Sequence, residues 1–317
     1  MANNENTQRA PRYRVQRLYG ENGQVAAHFL DDEFHQYSDT WEHAMANPGF
    51  AEIIDRDVAT ERVADAPLEH LAALAPNARV RTRFLRWLHV IDRQLDPWTT
   101  GGAIHFRPHW ARALMLALTM GDAAGLPDAD LDALAAAAVF HDSRRKNPYL
   151  DTGHGDRAAH YYADFCAAVA QAAAREEQPA DTVPAFDPRT YLAMQWHDRD
   201  DDTGLQVIAE ALERDELPTA SGSRAARKPP ATPSDAFHGF AQAGLLVPDG
   251  LAAALPAGAD ADAATIYRMF KDADGLDRIR LGTHGLDPHF LRLQYAHDAL
   301  PLAHILLEES EHPGSQL

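Results

Sequence analysis

The chain has 317 residues, 45% of them hydrophobic and 24% charged, and a net charge of −18 with histidine neutral. That length, roughly two domains' worth, leaves room for a sizeable core, and the composition excludes wholesale disorder, a collagen-like repeat and a small disulfide scaffold. A surface of that sign repels a phosphate backbone and argues against bulk nucleic-acid binding, yet a local cluster of arginine and lysine could still receive a small anionic substrate.

The single cysteine, Cys166, cannot form an internal disulfide and lies in an alanine-rich stretch, as a buried structural thiol would. The N-terminus is polar, and no run approaches the roughly 18 apolar residues of a spanning helix, so the expectation is a cytoplasmic protein with no membrane partner. Nothing in the sequence bars a homo-oligomer.

In chain order, residues 1–12 read as a leader and Tyr13–Ala27 as a small hairpin or loop, with Gly20 and Gly23 as turn signals. Helical patterning begins near Asp39 and is clearest over Arg81–Leu95, where Phe84, Leu85, Leu88 and Ile91 recur between arginines. Three helices are predicted between Pro108 and Arg175: one from Pro108 to Gly121, one from Asp128 to His141, and an alanine-rich one starting near Gly155. A loop over Gln178–Arg189 precedes helices at Thr190–His197 and Leu205–Arg214. Residues 218–235 read as a mobile insertion, and a second stretch with proline and glycine follows at 247–258. Helices over Ala263–Leu281 and Pro288–Glu309 close the chain. Period-two β-branched runs are missing, so the fold class is mainly α: residues 1–95 as a largely helical N-terminal extension, 96–310 as a helical bundle domain, and 311–317 as a tail.

The chemistry centres on His141-Asp142. Leu131, Leu134, Ala138 and His141 are spaced 3, 4 and 3, so the imidazole continues the buried stripe of its helix, with a carboxylate beside it. A satisfied core histidine at a capped helix end would account for that pair alone. His109 opens the preceding helix with Arg112 on the same face, and the 32 residues from His109 to His141 suit a helix, a turn and an antiparallel helix. On a third helix, phase puts Asp274 at the edge of the side defined by Ile266, Phe270 and Ala273, turns Asp277 inward and turns Asp272 away.

A histidine, an adjacent His-Asp pair and a distant aspartate, all on helices, resemble the HD-domain superfamily of metal-dependent phosphohydrolases over roughly Ile104–Ile279. The resemblance implies a divalent metal on His109, His141, Asp142 and Asp274, and a metal-activated water that cleaves a phosphoester of a nucleotide or related metabolite. Val139-Phe140-His141-Asp142 is followed by Ser143-Arg144-Arg145, a departure from the small residue, glycine and lysine of many members. Asp151-Thr152-Gly153-His154-Gly155 is similar to a histidine-bearing segment of some members. Imidazole and carboxylate ligands suit Mn, Fe, Co, Ni or Zn, with Mg also admissible and one or two ions per chain. Asp142 could be both ligand and bridge.

His154 reads equally as a second-metal ligand, a phosphate contact or an exposed cap. His197 is expected in the pocket, and the acidic run Asp198–Asp202 as a solvated loop. His105 is expected as a loop contact, and His160, His284, His289, His297 and His304 as structural. Arg144, Arg145, Lys271 and Arg278 are the candidate grips for a substrate phosphate, Arg144 foremost, with ion pairing as the alternative for Arg278 and Arg280. Phosphate-loop, dinucleotide and paired-cysteine motifs are missing. The rival functions are a mixed-valence di-iron oxygenase of the same fold, using His154 and His197, and a nucleotide-binding protein without turnover.

Overall fold

The computed structural model of the chain describes residues 66–98, 103–146, 151–175, 185–213, 262–282 and 285–312. The expected leader, the 13–27 hairpin, the 218–235 insertion, the 247–258 stretch, His284 and most of the tail lie outside them. The described residues are mainly α, with no strand among them. The helices are α1 (Ala78–Arg93), α2 (Arg107–Ala123), α3 (Asp128–Phe140), α4 (His154–Ala174), α5 (Pro188–Trp196), α6 (Asp201–Glu213), α7 (Ala263–Leu276) and α8 (Gln294–Glu311). Short 3₁₀ turns stand before α1, before α2, after α7 and before α8.

Helix α2 is the axis of the bundle. Almost every side chain on it from Pro108 to Leu118 is buried, and α1, α3, α7 and α8 pack around it. A helix apolar on all sides is stable only where all sides are covered, which is what four neighbours provide. Pro108 occupies its first turn, where the missing N–H has no intrahelical acceptor to lose. α3 follows after a tight turn through Gly125 and is likewise buried along its length, its alanines allowing close approach.

α1 belongs to this core. Asn77 caps it by accepting from the Val80 N–H at 3.0 Å, and Val80, Phe84, Trp87, Leu88 and Ile91 form one buried face. Its other face is basic and meets the acids around the start of α3: Arg79 pairs with Asp122 and Asp128, Arg83 with Asp128, and Arg86 with Asp132. Buried residues from Leu68 to Ile91 thus share one hydrophobic core with those of the helices that follow.

The second half of the bundle is α4, α5 and α7, with α5 packed against α3, α4 and α7. Asp187 caps α5 and Asp262 caps α7. α7 stops at Leu276, and Asp277–Leu281, expected as its continuation, tightens into a 3₁₀ turn. Asp272, which helical phase turns away from the core, is fully buried: it accepts the N–H groups of Arg292 and Leu293 at 3.0 and 2.8 Å, where the chain enters α8. Periodicity within α7 could not anticipate this, because the burying partner is twenty residues downstream. Among the described residues no helix is long and apolar enough to cross a membrane.

Candidate metal centre

The ends of four helices converge on Asp142. His109 comes from the first turn of α2, His141 from the C-terminal cap of α3, His154 from the first residue of α4, and His197 from the C-terminal cap of α5. All four imidazoles and Asp142 are buried.

Each imidazole has its Nδ1 hydrogen committed. His141 donates to the Ala138 carbonyl at 2.9 Å, His197 to Met194 at 2.6 Å and His154 to Asp151 at 2.6 Å, in every case three residues back. For His141 and His197 the acceptor is among the last carbonyls of the helix, which have no intrahelical partner. His109 donates instead to Asp277 Oδ2 at 2.7 Å, and Asp277 also receives Arg112 Nε at 2.5 Å and Nη2 at 3.0 Å. With Nδ1 the donor, the neutral ring turns a bare Nε2 lone pair inward, the orientation that acceptors behind a ligating histidine impose.

Those lone pairs meet in two couples. His109 Nε2 and His141 Nε2 are 3.0 Å apart, and so are His154 Nε2 and His197 Nε2. Two lone pairs cannot face each other at that distance without a positive charge between or beside them. Asp142 stands between the couples, with Oδ2 at 3.5 Å from both His109 and His141 and Oδ1 at 3.0 Å from His154. Asp274 Oδ1 completes the first couple at 3.4 Å from His109 and 3.7 Å from His141. Buried histidines and aspartates within reach of one ion could therefore hold a metal, in groups that include His109, His141 and Asp274, and His141, Asp142 and His197.

The electrostatics agree. Burial alone would raise the Asp142 carboxyl, but Arg145, His141 and His105 outweigh it and hold the group well below the usual range. Asp274 is held well below its ordinary value against burial by the hydrogen bond and charge of His141, then by His109. Asp277 is drawn down to about 2 against burial by Arg112, His109 and Arg280. His141 is raised against burial by Asp142 and Asp274, so the first couple attracts positive charge. His197 is pushed down to about 3 by burial, then by His154 and His141. The Asp274 side chain is 29% exposed where Asp142 is 3%, so the first couple opens to solvent on the Asp274 side.

No family model matches the chain, and no curated protein or solved structure does either.

Of the residues singled out in the sequence, His109, His141, Asp142, Asp274, His154 and His197 come together. Among the four basic candidates only Arg145 joins them, its Nη1 3.1 Å from Asp142 Oδ1. Arg144 donates to the carbonyls of Asp96 and Ser143 at 2.6 and 3.0 Å, with its guanidinium carbon 3.3 Å from the centre of the Tyr161 ring. Lys271 is bound to the Arg199 carbonyl and Asp201, and Arg278 to the Gly285 carbonyl. His160 packs against Tyr191, and His289 is exposed beside Asp287.

Three neighbours were undervalued. His105, expected as a loop contact, reaches Asp142 Oδ2 with Nδ1 at 2.8 Å; burial, then the charge of Arg145, keeps it neutral. Asp198, expected in a solvated loop, is half-buried with its carboxylate turned inward, accepts the Gly153 N–H and lies 3.4 Å from His154 Nδ1. Arg280 is buried, donates to the Ile104 carbonyl at 2.9 Å and stands 3.1 Å from His105. Gly153 permits this arrangement through a left-handed φ of 93°.

Proposed function

We propose that the chain is a metal-dependent phosphohydrolase or phosphodiesterase of HD type, acting on a nucleotide or related phosphorylated metabolite. The observation that carries the proposal is the opposed pair of Nε2 atoms of His109 and His141, 3.0 Å apart and flanked by Asp142 and Asp274. His109, His141, Asp142 and Asp274 would hold the ion, and their mixed nitrogen and oxygen donors suit Mn, Fe, Co, Ni or Zn. A divalent ion bound there supplies a low-pKa water and neutralises phosphoryl oxygens.

The remaining work falls to the chain's own groups. Asp277 accepts the Nδ1 hydrogen of His109 and the Ala138 carbonyl that of His141, which presents Nε2 of each ring as the ligating atom. Asp142 and Asp274 remain ionised at neutral pH and balance the ion's charge. The partly exposed Asp274 edge is where an anionic substrate enters, and Arg145 adds a fixed positive charge across Asp142.

The test is turnover of bis-p-nitrophenyl phosphate and a nucleotide panel with added Mn²⁺, comparing wild type with Asp142→Ala. Metal-dependent release of phosphate or alcohol, lost in the variant, supports the proposal. No turnover with any divalent ion, or full turnover in Asp142→Ala, ends it. The second imidazole couple on the same carboxylate favours one further reading, a di-iron oxygenase. Mixed-valence iron in electron paramagnetic resonance would select it.

A further inference from the structure

The two imidazole couples are not equivalent. The first faces two carboxylates. The second already contains a cation of the chain's own. Arg145 Nη1 lies 3.0 Å from His154 Nε2 and 3.1 Å from Asp142 Oδ1, atoms that are themselves 3.0 Å apart. His197 Nε2 is 3.0 Å from His154 Nε2 and 4.0 Å from the same carboxylate oxygen. A guanidinium nitrogen therefore engages the carboxylate oxygen that a second metal ion would need, and it lies against the His154 ring, 3.0 Å from Nε2 and 3.5 Å from Nδ1, in the space such an ion would fill.

We infer that the centre holds one divalent ion, on the His109 and His141 side, and that Arg145 is the permanent cation of the other half. The inference rests on the metal-centre reading above. A guanidinium does not lose its proton in a protein, so this charge cannot be titrated away to admit a metal. It is also anchored: Arg145 is buried, and its backbone N–H donates to the Asp142 carbonyl at 3.3 Å, so the side chain leaves the same turn as the carboxylate it serves. Asp142 thus gives Oδ1 to the guanidinium, while its Oδ2, on the His109 and His141 side, would be the oxygen left to hold the ion. An incoming phosphoryl group meets one ion and one arginine, the latter suited to phosphate oxygens by its planar donors.

The experiment is Mn²⁺ stoichiometry by elemental analysis after gel filtration, with electron paramagnetic resonance of the loaded protein. It compares wild type with Arg145→Met, of similar length and neutral, and with Arg145→Lys, which keeps the charge. The expected result is one isolated ion per chain in wild type and Arg145→Lys, and two exchange-coupled ions in Arg145→Met. Two coupled ions in wild type overturn the inference, as does a single ion in a folded Arg145→Met. Should wild type bind none, the metal-centre reading itself fails, and the inference with it.

Discussion

Asp277→Asn probes the link between fold and site most sharply. Asp277 is fully buried and uses both carboxylate oxygens: Oδ1 accepts Arg112 Nε, while Oδ2 accepts Arg112 Nη2 and His109 Nδ1. An asparagine has one oxygen and one amide. If the oxygen faces Arg112 Nε, the amide meets the Nδ1 hydrogen of His109, and the ring must move its hydrogen to Nε2, the atom proposed to bind the metal. If the oxygen faces His109 instead, the amide meets Arg112 donor to donor, and the guanidinium charge is left uncompensated in the interior. Loss of an acceptor behind a ligating histidine lowers metal affinity by about 10- to 100-fold, or ~1.4–2.7 kcal/mol. Breaking a buried ion pair from one side costs about 3–5 kcal/mol of stability. Competition against a fluorescent chelator measures the first and urea unfolding of the metal-free protein the second. A folded Asp277→Asn protein with wild-type metal affinity would refute the assignment of His109.

Gly155→Ala should destabilise, although alanine is the better helix former, because the added Cβ would lie 2.5 Å from the Met194 carbonyl and 2.8 Å from His197 Nδ1. It cuts into the bond that orients His197, and overpacking of this kind costs roughly 1–3 kcal/mol; a rise in urea midpoint would contradict the packing. Cys166 is buried, and burial pushes its thiol up to about 12. A disulfide reagent near pH 8 should therefore label one thiol per chain only after unfolding, and fast native labelling would show the α4 interior to be open. Burial opposes ionisation of Asp201, but bonds from Arg292 at 2.6 Å and from Lys271 bring its carboxyl down to about 2. Its contribution is complete above the unfolded value of about 3.9 and disappears as pH falls through about 2. It amounts to roughly 2–3 kcal/mol, so Asp201→Asn should flatten unfolding free energy against pH across that window. A slope equal to wild type would remove Asp201 from the acid limb. Arg144→Ala should leave metal content and KM unchanged, since that side chain is committed to Asp96 and Tyr161; a raised KM would return it to the substrate pocket.

Much of the architecture is legible in the sequence because it is local. Pro108, the Gly125–Asp128 turn and the apolar stripe through Leu131, Leu134 and Ala138 delimit α2 and α3, and that stripe carries His141 inward. What escapes is set by partners distant along the chain or by the path of the backbone once a helix has ended. Arg144 and Arg145 leave a turn on different courses, and no periodicity tells which one meets Asp142. Asp198 reads as solvated within an acidic run, yet the Gly153 N–H, 45 residues upstream, receives it in the interior. Asp272 is buried by the entry into α8, and His105 is drawn to Asp142 through a short 3₁₀ turn that carries no apolar signature. Asp277 reads as inward from phase, but its service to His109 depends on the 3₁₀ turn after α7.

The central claim is a divalent ion between α2, α3 and α7, and the anomalous difference map of a crystal loaded with Mn²⁺ or Co²⁺ tests it most directly. The account predicts a peak about 2.0–2.2 Å from Nε2 of both His109 and His141, shared with Asp142 Oδ2 and Asp274 Oδ1. No peak at saturating metal, or one only at a site lacking His109 and His141, would contradict it.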